Sequence, residues 1–95
     1  MSNQGYVYIL TNKNKTVLYI GVTSDLRKRI YQHACGLGSV FTSKYKLKML
    51  VYFEVFESIV LAIQREQSLK GKTRKKKEDI IFSVNPEWKD LSSTI

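Results

Sequence analysis

The sequence predicts an α+β fold, a three-stranded antiparallel sheet flanked by three helices in the order β-β-α-β-α-α, forming one domain over residues 1–95. Three observations carry this. Residues 6–10 and 17–21 are short apolar, aromatic-rich runs separated by the turn-forming Asn12-Lys13-Asn14-Lys15-Thr16. Residues 49–56, Met-Leu-Val-Tyr-Phe-Glu-Val-Phe, form a third strand-like run, apolar at both parities. The segments after the second and third runs carry apolar residues at helical rather than alternating spacing.

The elements follow in order. A hairpin centred on Lys13-Asn14 sets Tyr8 directly opposite Tyr19, both projecting from one face. The polar cluster Thr23-Ser24-Asp25 leads into a helix, on which Leu26, Ile30, Ala34 and Leu37 form one stripe at about 100° per residue. His33 falls inside that stripe and Arg29, one turn earlier, at its edge. Gly36-Leu37-Gly38-Ser39 ends the helix, because glycine tolerates the left-handed backbone of a helix terminus. Residues 39–48 read as a loop in which bases accompany Phe41 and Tyr45. The strand 49–56, apolar at both parities, requires a central or helix-covered position. Ser58 caps a helix running to about Lys70. Gly71-Lys72 breaks it, and Thr73 opens a third helix to about Val84. Asn85-Pro86 stops that helix, and Trp88 and Leu91 fold the tail back onto the body.

Composition narrows the function classes. The 95 residues are 43% hydrophobic and 12% aromatic, enough for a modest core. Cys35 and His33 are single, which excludes an intramolecular disulfide and leaves too few ligands for structural zinc. A lone cysteine fits a reducing, cytoplasmic compartment. Met1-Ser2-Asn3-Gln4 is no signal-peptide start, and no apolar run approaches the roughly 20 residues of a membrane span, so no membrane partner is expected. Net charge is +8, from 16 Lys+Arg against 8 Asp+Glu. Residues 1–49 hold eight bases and one acid; residues 50–95 hold eight bases and seven acids. Such a surface favours a polyanion, and the expected partner is nucleic acid.

Candidate site residues emerge from the same pattern. Tyr8, Tyr19, Arg29 and His33 can all engage an anion and come from neighbouring elements, although each ring alone is also explained by core packing. In the second helix, Ile59, Ala62, Ile63 and Lys70 cluster on one side with Leu69 beside them. Glu66 lies seven residues after Ile59, about 20° away around the helix and within the stripe. A carboxylate there must be paired with a base, hold a metal or act as a general base. Glu54 and Glu57 have simpler solvent-exposed explanations. Lys70, Lys72, Arg74, Lys75, Lys76 and Lys77 place six bases in eight residues. That run reads as a phosphate-facing surface or a solvated helix face. Lys44 and Lys46 beside Tyr45 pair cations with π-faces, as a nucleic-acid backbone and its bases would use.

Tyr6-Val7-Tyr8, followed after ten residues by Tyr19-Ile20-Gly21, resembles the paired signature of the GIY-YIG nucleases. Arg29 stands eight residues after Gly21 and His33 four later, as in homing endonucleases of that family. Glu66 and Asn85 fall where the family has its metal-binding glutamate and a polar supporting residue. Residues 85–91, Asn-Pro-Glu-Trp-Lys-Asp-Leu, resemble the tail of small stand-alone bacterial members. Tyr6 stands where the first motif has glycine, with Gly5 just before it, and Val22 stands where excision-repair members carry lysine.

The resemblance implies an endonuclease that hydrolyses DNA phosphodiester bonds with one Mg²⁺ or Mn²⁺, acting on branched or damaged forms in repair or recombination. It implies that Glu66 holds the metal, Arg29 clamps the phosphate and Tyr8 orients or deprotonates the attacking water. Tyr19 and His33 complete the proton-transfer network, and Gly21 and Asn85 support it. A phenol of pKa near 10 is a weak base at pH 7, by roughly 4 kcal/mol, so His33 is an alternative proton acceptor. A lone domain lacks the targeting domain of larger members, leaving targeting to a protein partner or a homodimer. The alternatives are a nucleic-acid-binding module of the same fold with little or no turnover, and a small interaction domain whose charge serves solubility.

Overall fold

In the computed structural model, which describes residues 4–95, strand β1 (Gly5–Thr11) is the middle of the sheet. Strand β2 (Leu18–Thr23) pairs antiparallel on one side of it and β3 (Met49–Phe56) antiparallel on the other, giving the order β2-β1-β3. Among the described residues four helices surround the sheet: α1 (Leu26–Ala34), α2 (Val40–Lys44), α3 (Ile59–Lys70) and α4 (Arg74–Val84). A 3₁₀ turn at Ser92–Thr94 follows. The reading of the first four residues as no signal peptide rests partly on residues 1–3, outside the described residues. No helix among the described residues is long and apolar enough to cross a membrane.

Alternation along the strands, interrupted by a bulge at Val51 of β3, divides the core between the two faces of the sheet. Val7, Ile9, Ile20, Val51 and Tyr52 meet Ala62 and Leu69 of α3 and Ile81 of α4. On the other face, Tyr8, Leu10 and Leu50 meet Leu26 and Ile30 of α1 and Leu47, with Leu91 and Ile95 of the tail packed alongside. Gly5 lets α3 lie close on β1, since a Cβ there would stand 2.6 Å from the Ala62 Cβ.

Each helix begins at a residue whose side chain accepts an otherwise orphaned backbone N–H: Asp25, Ser39, Ser58 and Thr73. Such a cap stabilises a helix by about 1 kcal/mol. Ser58 and Thr73 act as the sequence predicts, and the strand 49–56 has the predicted bounds.

Several local expectations are corrected. Residues 39–48 are not all loop, because Ser39 caps the short α2. Its five residues are too few for helical periodicity to be visible. Of the two positions predicted for β3 it takes the helix-covered one, at an edge of the sheet under α3 and α4; Asn85, Asp90 and Leu91 bind its outer backbone at Leu50 and Val51. The α1 stripe stops at His33, because the helix ends at Ala34 and Leu37 is 74% exposed. On α3, Ile63 faces outward while Ala62 and Leu69 are buried. Glu54 is not a simple solvent-facing carboxylate: Arg65 holds both its oxygens at 3.0 and 3.1 Å, and the Tyr52 hydroxyl donates to it.

The hairpin register also differs. Tyr8 faces Gly21, and Tyr19 faces Leu10. The Asn12 carboxamide oxygen accepts the N–H groups of Thr16 (2.8 Å) and Val17 (3.1 Å), and Lys15 adopts φ 58°. That closure moves the hairpin centre one position along the chain and delays β2 to Leu18. The register sum changes by two, so both tyrosines stay on one face but become diagonal neighbours.

Candidate active site

Strand β1 carries Tyr8 across the backbone of β2 at Gly21. A Cβ on Gly21 would lie 2.4 Å from the Tyr8 Cζ and hydroxyl oxygen, so glycine opens the path for the phenol. The ring is 1% exposed, and its hydroxyl reaches His33 Nε2 of α1 at 3.0 Å. Gly38 does the same for the imidazole: a Cβ there would stand 2.0 Å from His33 Nδ1. Nδ1 lies 3.0 Å from Thr42 Oγ1 on α2, and Thr42 Oγ1 lies 2.9 Å from Ser39 Oγ and 3.3 Å from the Ser39 carbonyl.

These contacts assign the protons. Arg29 Nε donates to the Tyr8 oxygen, at a long 3.4 Å, so it offers no acceptor. His33 Nε2 is then the acceptor for the buried Tyr8 hydrogen among the described residues. Nδ1 of the neutral ring carries its proton and donates it to Thr42, whose hydroxyl donates to Ser39. Burial, with the Arg29 charge adding to it, pushes the His33 pKa down to about 4, consistent with a neutral ring. Burial likewise raises the Tyr8 pKa above its usual 10, opposed by the hydrogen bond from Arg29.

Arg29 is also anchored by its other nitrogens, to Gln32 Oε1 at 3.2 Å and to the Gly38 carbonyl at 2.9 Å. Three of its five N–H groups are engaged, and its side chain borders an open groove of about 380 Å³ shared with Thr23, Lys28 and Gln32. Tyr19 stands 6.3 Å from the Tyr8 ring centre and 5.8 Å from that of His33. It lines a second cleft of about 290 Å³ at the β2 edge, together with Phe41, Lys70 and Lys77.

Glu66 lies on α3, whose Ala62 and Leu69 pack on the sheet face opposite the one that carries Tyr8. The Glu66 side chain is 15% exposed and paired with Lys70, one turn on, at 3.0 Å. Its charge is the smallest of the influences that raise the Tyr8 pKa, after burial and Tyr19. No group of three or more His, Cys, Asp or Glu able to hold a metal occurs among the described residues. A single hard carboxylate suits an ion such as Mg²⁺ that keeps most of its waters, and it suits no all-protein cage.

Other predicted residues lie apart from this cluster. The Asn85 carboxamide binds the backbone of Val51 and Lys89, fixing the chain reversal after α4 against β3. Arg74 donates to the Lys15 and Thr16 carbonyls and to Glu78, so its side chain secures the hairpin turn. Lys75 pairs with Asp79, whereas Lys72, Lys76 and Lys77 have no ion-pair partner among the described residues. Lys44 lies over the Tyr45 ring at 5.4 Å; Lys46 is exposed with φ 55°. Sequence reasoning missed Ser39, Thr42, Gly38 and Lys28. For Thr42 the only signal was a capping serine three residues earlier; Gly38 read merely as a helix stop.

Residues 4–79 match the GIY-YIG catalytic domain. The chain is 38% identical over 91 residues to a UPF0213 protein of Streptococcus pyogenes serotype M5, covering 94% of this chain and 97% of that relative. It is 35% identical over 80 residues to a UPF0213 protein of Haloquadratum walsbyi, covering 84% and 89%. Among solved structures, the solution NMR structure of a UPF0213 protein from Bacillus halodurans matches with a TM-score of 0.59 and 32% identity, over 93% of each chain.

Proposed function

The chain belongs to the GIY-YIG family, a family of nuclease-type domains, and from that premise we propose that it is a Mg²⁺-dependent endonuclease acting on DNA phosphodiester bonds. One observation supports this reading above the others. His33 Nε2 and Arg29 Nε meet at the buried Tyr8 hydroxyl, which joins a proton acceptor to a cation at one oxygen.

Hydrolysis forms a bond from water oxygen to phosphorus and breaks the bond to the departing sugar oxygen. Arg29 turns from Tyr8 toward the non-bridging oxygens, exchanging a 3.4 Å contact for charge-assisted bonds to phosphate. That movement uncovers the phenol. The attacking water gives its proton to the Tyr8 oxygen as Tyr8 passes its own to His33 Nε2, and solvent protonates the departing oxygen. Tyr8 thereby relays the proton without resting as a phenolate, and the ring charge formed on His33 leaves to solvent afterwards. Glu66 would hold the Mg²⁺ or Mn²⁺ once freed from Lys70; when bound, such an ion polarises the phosphate and the departing oxygen. Branched or damaged DNA in repair or recombination is the substrate context we infer, with targeting by a protein partner or a second copy.

The Glu66–Lys70 ion pair also favours a second reading, a nucleic-acid-binding module with little turnover, in which Glu66 serves only α3. Nicking of supercoiled plasmid separates the two. We expect nicking with Mg²⁺, none with chelator, and at least a hundredfold loss in Glu66→Ala with an unchanged circular dichroism spectrum. Undiminished cutting by Glu66→Ala would remove the metal assignment; no cutting by wild type with Mg²⁺ or Mn²⁺ would leave the second reading.

A further inference from the structure

The short helix α2 turns its apolar side two ways. Thr42 and the following Leu47 are buried, whereas Phe41 and Tyr45 remain 44% and 42% exposed. Phe41 lies nearly parallel to Tyr19, ring centres 6.1 Å apart and planes at 29°, and Tyr45 continues the series at 4.8 Å from Phe41. The three rings run from the catalytic cluster outward along the surface.

The rim of this strip is cationic. Lys44 stands over Tyr45, and Lys70 and Lys77 line the same cleft as Tyr19 and Phe41. Lys70 pairs with Glu66 at 3.0 Å, whereas Lys77 has no ion-pair partner among the described residues. Aromatic faces rimmed by lysines match a ligand that alternates flat apolar rings with negative charges. A nucleic-acid strand has that character, but its base faces are open only where bases are unpaired.

We propose that Phe41 and Tyr45 form a stacking platform for an unpaired nucleotide of DNA, with flanking phosphates on Lys70 and Lys77. The preferred substrate then carries a single-stranded segment beside the phosphate attacked. This deepens the nuclease reading and rests on it for the position of that phosphate, but the platform binds without turnover.

The test is therefore made in chelator. A 12-nucleotide DNA strand carrying 2-aminopurine is titrated with protein, alone and annealed to its complement. The single strand is expected to bind more tightly than the duplex, with the 2-aminopurine fluorescence changed by stacking. Phe41→Ala should weaken single-strand binding by about tenfold, the effect of removing one base-stacking ring, and Phe41→Trp should retain it. Tyr45→Ala provides the same test should Phe41→Ala fail to fold. Equal affinity for strand and duplex, or unchanged single-strand binding in folded Phe41→Ala and Tyr45→Ala, overturns the platform. Plasmid nicking without single-strand preference sinks the platform alone; single-strand binding without nicking sinks the nuclease reading alone.

Discussion

Burial keeps His33 neutral, and this has a measurable consequence for stability. Its folded pKa, about 4, lies below the usual 6.5, so below pH 6.5 the unfolded chain binds this proton more readily than the folded one. The contribution is complete above pH 6.5 and is lost as pH falls toward 4. Urea unfolding should show about 2 kcal/mol less stability at roughly pH 5 than at pH 7.5 from this group alone. A flat profile between those values, matched by His33→Gln, would contradict the buried neutral ring. Thr42 bears on the same ring. Thr42→Val keeps the shape but strands the Nδ1 hydrogen, at a cost of about 1–3 kcal/mol. Because His33 is the only histidine, ¹⁵N NMR reads its tautomer without ambiguity. The wild type should show Nδ1–H; Thr42→Val should mix the tautomers and slow cleavage, and Thr42→Ser should restore both. An unchanged tautomer in Thr42→Val would remove the relay to Ser39.

The hairpin shows how one side chain sets an element. Asn12 accepts two backbone N–H groups, and its amide nitrogen donates to Thr16 Oγ1 at 2.8 Å. Those bonds place Gly21 rather than Tyr19 under Tyr8. Asn12→Ala should cost about 1–2 kcal/mol in thermal or urea unfolding, the net worth of a few partly exposed hydrogen bonds. Amide exchange should quicken at Thr16 and Val17 first. Unaltered exchange there would mean that Arg74, which also grips this turn, is sufficient to hold it. The helices were more legible than the hairpin register. Ser58 and Thr73 are capping residues adjoining long periodic segments, so their ends follow from local chemistry. A five-residue helix such as α2 has no period to read, and a strand pairing depends on loop closure between residues distant from the pair.

Across the whole molecule, charge governs encounter and the lysines share the labour unequally. Lys70, Arg74 and Lys75 are engaged with neighbouring groups, leaving Lys44, Lys46, Lys72, Lys76 and Lys77 as the freer cations of the predicted set among the described residues. Five phosphate contacts would make the logarithm of single-strand affinity fall against the logarithm of salt with a slope of about −3.5. Lys77→Ala should reduce that slope by about 0.7, and Arg74→Ala should leave it nearly unchanged. Equal effects of the two substitutions would contradict the division read from the side-chain partners.

The motif tyrosines, Gly21, Arg29, His33 and Glu66 stand out along the chain because their types, order and spacing are written there, as are the strands and the long capped helices. What the letters could not contain is which of these side chains touch. Thr42 behind His33, Gly38 against the imidazole and the diagonal placement of the two phenols all arise between segments that meet only after folding. Local spacing determines the elements because backbone geometry repeats within each one. Partners across elements depend on packing and loop closure, and only the folded chain decided them.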